Sequence, residues 1–216
     1  MIDAQEAAQK LLDMLEQAEQ FPYQDKIAKL IQALNKVVAD IQDIIPFFNL
    51  QDFYFAGGCL YCLWNDKEIK DYDIFCTNKT AIRKLKRHFK EHSELVNCKT
   101  DNAYTVGKYQ FIIKHVGDPE VEVAKFDFKH NCYWYDSQGV HSIFGWDEIG
   151  SKELKFNSTR ARDVLNIVTR IPKFVERGMV ISQKEILDIL ENGTRPAKYF
   201  AERRTIKQRR SGKSRY

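Results

Sequence analysis

The sequence lacks an apolar run long enough to span a membrane, and its first residues lack the basic and apolar regions of a secretory signal. Cysteine is scarce, with 5 residues in 216. An odd number in a chain of this length is typical of free thiols in a reducing compartment. Cys59 and Cys62 form one C-x-x-C pair, without a second pair at the spacing of a zinc site. We therefore expect a cytoplasmic protein with no membrane segment.

Apolar and aromatic side chains are plentiful, at 44% and 12% of the residues. This content supports a real core, and 216 residues suit one α/β domain or one such domain with a helical extension. The formal net charge is only +4, but most of the excess positive charge lies in residues 195–216. A dense positive run suits a polyanion, so we expect this basic tail to contact nucleic acid rather than only to solubilise the chain.

The most informative stretch is residues 53–78, FYFAGGCLYCLWNDKEIKDYDIFCTN. A short strand is predicted at its start, followed by Gly57-Gly58, a helix over 59–64 and a second strand over 69–75. Because glycine lacks a Cβ atom, the Gly-Gly turn leaves backbone N–H groups at a helix N-terminus open to a phosphate.

Two carboxylates, Asp71 and Asp73, lie two residues apart in the second predicted strand. Side chains of a strand alternate between faces, so both carboxylates should point the same way. Like charges this close repel unless a cation lies between them, and a hard divalent ion with oxygen ligands meets that need. The alternative is a pair of solvated Asp residues beside an ordinary turn.

This pattern resembles the DNA polymerase β-like nucleotidyltransferase superfamily, in which Gly-Gly or Gly-Ser is followed by Asp-x-Asp at a spacing close to the one seen here. From Gly58 to Asp71 the spacing is 71 − 58 = 13 residues. A helix directly after Gly-Gly is most similar to the head domain of tRNA CCA-adding enzymes and bacterial poly(A) polymerases. The resemblance covers residues 53–128, and a weaker resemblance extends to residue 178.

The resemblance implies an α+β fold with the mixed sheet of polymerase β-like nucleotidyltransferases. It implies metal-dependent transfer of NMP from an NTP to an acceptor, with the phosphates bound at Gly57 and Gly58. Two Mg²⁺ ions would be bound by Asp71, Asp73 and a third carboxylate from a later strand beside the Asp-x-Asp strand.

The third carboxylate is expected from residues 121–128, which are predicted to form a strand. Asp127 and Glu122 both lie there, but odd and even positions of a strand cannot both face the site. We expect Asp127, because Asp is the more unusual residue in an apolar strand. Glu122 is the alternative.

The remaining elements are mostly helices. Residues 4–19 and 23–45 carry apolar stripes at helical spacing and are predicted to form an N-terminal hairpin. A basic amphipathic helix is predicted over 78–92, strands at 103–106 and 109–116, and C-terminal helices at 160–177 and 182–190. The predicted organisation is a helical hairpin (1–48), a catalytic domain (49–150), C-terminal helices (151–194) and the basic tail (195–216).

Arg160 and Arg162 open the first C-terminal helix, which loosely resembles the Arg-rich helix that follows the head domain of CCA-adding enzymes. The Arg side chain binds phosphate bidentately. Both residues are therefore candidates for binding the triphosphate or an RNA phosphate, with a solvated helix face as the alternative.

The sequence also departs from the family. Arg-Asp often follows Gly-Gly in head domains, and here Cys-Leu-Tyr-Cys-Leu-Trp stands in that place. No counterpart of the Arg-Arg-x-x-Asp base-selecting motif is found. The chain is also too short to include the long helical body with which these enzymes measure a tRNA. The expected function is nucleotidyl transfer, with an RNA (tRNA) 3′ end as the leading acceptor. The alternatives are a non-catalytic nucleic-acid-binding or partner protein on the same fold, or a toxin-like enzyme that nucleotidylates a protein or RNA.

Overall fold

The structure is a computed structural model and describes residues 21–158 and 164–194. The predicted helix at 4–19, Arg160, Arg162 and the basic tail lie outside the described residues. The chain forms two compact units, one ending at Ser151 and the other starting at Lys152. In neither unit does a described helix have the length and apolarity needed to cross a membrane.

The first unit is built on a mixed sheet of seven strands. In chain order they are β1 (Phe53–Ala56), β2 (Tyr72–Cys76), β3 (Cys98–Lys99), β4 (Ala103–Val106), β5 (Tyr109–Val116), β6 (Tyr133–Asp136) and β7 (Gly139–Ser142). Their order in the sheet is β3-β4-β5-β2-β1-β6-β7. The β2–β5 pair is parallel and the other neighbours are antiparallel. This mixed sheet, with its helices, confirms the predicted α+β fold class.

The helices of the first unit are α1 (Gln24–Ile44), α2 (Gly58–Trp64), α3 (Lys79–Glu91), α4 (Pro119–Val123) and α5 (Trp146–Gly150), with 3₁₀ turns at Phe21–Tyr23, Ser93–Leu95 and Lys129–Asn131. Helix α1 confirms the second helix of the predicted hairpin. It buries an apolar stripe, namely Leu30, Leu34, Val37 and Ile41. Two tyrosine hydroxyls tie it to the sheet. Tyr109 donates to Asp40 Oδ2 at 3.3 Å, and Tyr135 donates to Asn35 Oδ1 at 2.6 Å.

The two faces of the sheet are covered differently. One face packs against α1 and α3, and Phe89 of α3 lies 5.5 Å from Phe111 of β5, measured between ring centroids. The opposite face carries a buried cluster that also includes residues outside the strands: Tyr54, Ala56, Phe75, Val123, Cys132 and Trp134. Because side chains alternate along a strand, Asp73 and Gln110 belong to this second face, called the site face below.

Helix α3 confirms the predicted basic amphipathic helix. Its N-cap is Asn78, whose Oδ1 accepts a hydrogen bond from the N–H of Ala81 at 2.9 Å. Ile82, Leu85 and Phe89 are buried, as the apolar spacing predicts. Its basic residues lie on the outer side, and Lys84 forms an ion pair with Asp52 at 3.6 Å.

Asp52 makes the start of α3 sensitive to acid. A hydrogen bond from Asn78 is the main cause that lowers the pKa of Asp52, with Asn49 and Lys84 adding to it against the opposing effect of burial. A lowered pKa means that the ionised carboxylate stabilises the fold above about pH 4, and that this stabilisation is lost as the pH falls through the pKa of the folded state. We expect Asp52→Asn to lower the melting temperature at pH 7 and to have little effect near about pH 2. Thermal melts of both proteins at the two pH values measure this, and an equal difference at both would contradict it.

The predicted strand over 121–128 is wrong. Residues Pro119–Val123 form α4, and the chain then passes through a turn and a bend to the bridge at Phe128. Asp118 caps this helix, because its Oδ1 accepts from the N–H of Val121 at 3.3 Å, and Pro119 occupies the first turn, where a missing N–H costs nothing. The helix-start pattern Asp-Pro-Glu outweighs the β-propensity of the valines that follow.

Strand β2 starts three residues later than predicted, at Tyr72 instead of residue 69 (72 − 69 = 3). Its neighbours set this limit. Tyr72 pairs with Tyr109, the first residue of β5, and β1 ends at Ala56, where the chain turns away. Asp71 therefore lies just before the strand and is exposed.

The second unit contains α6 (Val164–Val175) and α7 (Gln183–Thr194). Gly178, with φ +84°, follows α6 and lets the chain turn back. Backbone hydrogen bonds then join Val180 to Lys152 and to Leu154, both at 2.8 Å. Glu185 of α7 accepts from the N–H of Phe156 at 2.7 Å, so the segment before α6 is tied to α7.

Candidate functional site

The glycine turn connects β1 to α2. Gly57 has φ +83°, a conformation that residues with a Cβ rarely adopt, and its N–H donates to the carbonyl of Tyr133 at 3.3 Å. A Cβ built on Gly57 would lie 3.4 Å from Phe126 Cε2 and 3.8 Å from Asp73 Oδ2, whereas one built on Gly58 would meet nothing within 4 Å. The turn is therefore packed at Gly57 and open at Gly58, where a ligand can approach the backbone.

The two carboxylates of the Asp-x-Asp pair lie at the start of β2. Asp73 is the second residue of the strand and is half-buried, whereas Asp71 is exposed. The neighbourhood of Asp73 includes Cys59 of α2. Burial is the main cause that raises the pKa of the Cys59 thiol, and the negative charge of Asp73 raises it further. Asp73 thus places its charge beside the glycine turn, as the sequence pattern predicts.

Asp127 and Glu122 do not lie in a strand beside β2, where the third carboxylate was expected. Asp127 is a buried residue in a bend, and Glu122 lies in α4, so strand alternation cannot choose between them as predicted. Glu122 forms an ion pair with Lys125 and lies 3.8 Å from Nδ1 of His115. Within residues 21–158 and 164–194, no group of three or more His, Cys, Asp and Glu side chains is placed to hold a metal ion.

Gln110 is the residue that the sequence analysis missed. It is the register partner of Asp73 in the parallel β2–β5 pair, so the two side chains lie on the same face in neighbouring strands. The pair joins positions 110 − 73 = 37 residues apart. A hairpin of two other strands intervenes along the chain, and no local pattern indicates this register.

The donors fit one divalent cation with a triphosphate. Asp71 and Asp73 supply anionic oxygens of the kind that hard cations prefer, and the open side of Gly58 leaves backbone N–H groups accessible to phosphate. Gln110 contributes no charge, because its side chain is a neutral amide. Arg160 and Arg162, predicted to bind phosphate, lie outside the described residues.

A family model described as "Gabija anti-defense 2 family protein" matches residues 25–147. No curated protein matches the chain. Among solved structures, the Thermotoga maritima CCA-adding enzyme complexed with tRNA_CCA is similar over 82% of this chain and 46% of its own, at 15% identity and a TM-score of 0.51.

A CCA-adding enzyme in complex with CTP is similar over 76% of this chain and 44% of its own, at 14% identity and a TM-score of 0.50. The chain thus spans less than half the length of either structure. Both similarities show the fold, and it is the fold that the resemblance to polymerase β-like nucleotidyltransferases implies.

Proposed function

The chain belongs to the Gabija anti-defense 2 family, and because its fold is that of a nucleotidyltransferase we propose that it acts against a defense by transferring a nucleotidyl group from an NTP. The observation that carries this proposal is the position of Asp73 beside the glycine turn, with Asp73 Oδ2 3.8 Å from the Cβ position of Gly57. A carboxylate next to an open glycine turn is suited to a cation that accompanies phosphate.

The roles of the residues follow from this arrangement. The turn at Gly57 and Gly58 binds the β- and γ-phosphates on the open side of Gly58, because the N–H of Gly57 already donates to Tyr133. Asp71 and Asp73 hold a divalent cation. When bound, that cation neutralises charge on the triphosphate and on the departing pyrophosphate. In the reaction an oxygen of the acceptor bonds to the α-phosphorus, the bond from the α-phosphorus to pyrophosphate breaks, and the acceptor proton passes to water.

An RNA 3′ end, tRNA in particular, is the first candidate acceptor. The Thermotoga maritima enzyme is described as complexed with tRNA, and the positive charge of residues 195–216 suits a polyanion. A protein acceptor is the second candidate. The family's description favours it, since a protein that acts against a defense can do so by modifying one of the defense proteins.

Transfer from each of four α-labelled NTPs into cellular RNA and into protein tests the proposal. We expect label in one of the two, from one preferred NTP, and none with Asp71→Asn/Asp73→Asn. Labelled RNA identifies the RNA acceptor and a labelled protein band identifies the protein acceptor.

A non-catalytic nucleic-acid-binding protein gives a different result. In that case no acceptor is labelled, and RNA binding survives Asp73→Asn but disappears when residues 195–216 are deleted. This outcome would overturn the transfer proposal, because the carboxylates would then have no part in the activity.

A further inference from the structure

The strands on either side of β2 offer no carboxylate to the site. Strand β1 reads Phe-Tyr-Phe-Ala and strand β5 reads Tyr-Gln-Phe-Ile-Ile-Lys-His-Val, so neither contains Asp or Glu. The site-face position beside Asp73 on β5 is occupied by Gln110. The next residue of β5 on the same face is Ile112, which packs against the apolar cluster of that face.

Residues 119–128, which contain Glu122 and Asp127, do not supply a third carboxylate to Asp71 and Asp73. Glu122 is held by Lys125, and its second oxygen lies 3.8 Å from His115. Asp127 does not join Asp71 and Asp73 in a metal-binding group within the described part of the chain. Among the described carboxylates, Asp73 lies beside the glycine turn, and Asp71 lies two residues before it in the chain.

Asp71 and Asp73 can share one divalent cation with the triphosphate, whereas a second cation on the acceptor side would need a further protein carboxylate. A second divalent ion a few ångströms away would face the repulsion of the first, with only the neutral amide of Gln110 as a protein ligand. An amide oxygen is a weaker ligand for a hard cation than a carboxylate, since it carries no formal charge. The position beside Asp73 is thus polar without being anionic.

We propose that the site takes a single divalent cation with its NTP, because position 110, beside Asp73, carries no carboxylate that could hold a second one. The inference rests on the proposed function and corrects the expectation of two Mg²⁺ ions. With no anionic group at position 110, β5 offers no carboxylate beside Asp73 that could hold a second ion against an acceptor or take the acceptor's proton. We therefore expect transfer to be slow, because no second cation activates the acceptor.

Counting Mn²⁺ ions on the full-length protein tests this inference without relying on turnover. The protein is titrated with Mn²⁺ in the presence of a non-hydrolysable NTP analogue, and bound ions are counted by electron paramagnetic resonance. We expect one Mn²⁺ per chain for the wild type and two for Gln110→Glu. In the labelled-NTP assay Gln110→Glu should be faster by about tenfold or more, since a positioned acid–base group contributes roughly 100-fold or more.

Gln32→Glu is the matched control, because it makes the same change on the exposed side of α1, which packs on the other face of the sheet. It should leave the count at one. Gln110→Ala is a second variant at the same position, and it adds no charge to the site. It keeps the inference testable if Gln110→Glu does not fold. It should retain one ion and its affinity for the nucleotide.

The outcomes separate this inference from the proposed function. Two ions on the wild type, an unchanged count for Gln110→Glu in a folded protein, or loss of the single ion in Gln110→Ala would overturn the one-ion inference while leaving nucleotidyl transfer in place. No Mn²⁺–nucleotide binding by the wild type would overturn the proposed function itself.

Discussion

Asp73→Asn should weaken binding of a Mn²⁺–NTP complex by about 30-fold or more, because removing one member of a charged pair costs roughly 2–5 kcal/mol and about 2 kcal/mol corresponds to roughly 30-fold. Asp73 is half-buried, and its Oδ2 lies 3.8 Å from the Cβ position of Gly57 in the glycine turn. Asparagine keeps the shape of the side chain and removes only its charge. We therefore expect the free energy of unfolding to change by less than about 1 kcal/mol.

Isothermal titration of Mn²⁺–NTP gives the affinity, and urea denaturation gives the stability. Asp66→Asn is the matched control, because Asp66 is an exposed residue of the same connection and its φ of +51° is one that Asn tolerates. It should bind like the wild type. An Asp73→Asn protein with unchanged affinity would show that the Asp-x-Asp pair does not hold the cation.

Substitution of the two adjacent glycines by alanine should have opposite consequences. Gly57→Ala should destabilise the fold by about 1–3 kcal/mol, because φ is +83° there and the new Cβ would meet the Phe126 ring at 3.4 Å. Gly58→Ala meets no atom within 4 Å. It lies at the start of α2 and should stabilise the protein slightly, by about 0.4–1 kcal/mol, because alanine restricts the unfolded chain.

Nucleotide binding should nevertheless fall in Gly58→Ala, because its methyl group occupies the side from which a phosphate approaches the backbone. A loss of affinity of about tenfold or more, without loss of stability, would separate a ligand contact from a folding defect. Urea denaturation and NTP titration on both variants measure the two quantities. If Gly58→Ala bound NTP as tightly as the wild type, the phosphates would not lie at the turn.

Local patterns were sufficient to predict the parts of the fold that local interactions determine. Helix α3 follows from its apolar spacing and its Asn78 cap, and the β4–β5 hairpin follows from Gly107-Lys108 between two β-rich segments. The glycine turn and the charge beside it were also readable, since both come from one short segment. The start of β2 was not, because it depends on where β1 ends and where β5 begins.

The strand predicted to carry the third carboxylate does not form, and β5 lies beside β2 in its place, for two reasons. The first was local and avoidable: Asp118 and Pro119 start a helix, which removes Glu122 and Asp127 from any strand. The second is non-local. The pairing of Asp73 with Gln110 is set by how the β4–β5 hairpin docks on β2, and no periodicity in the sequence encodes that register.

The lengths of the outer strands bear on how this protein can be recognised by others. At its two edges the sheet ends in β3, of two residues, and β7, of four. Such short edges expose few unpaired backbone groups, so within the described residues the sheet is a poor template for strand addition and for edge-to-edge aggregation. A protein partner would have to recognise side-chain surfaces, and mutations that abolish such an interaction should lie on helices and loops instead of along a strand.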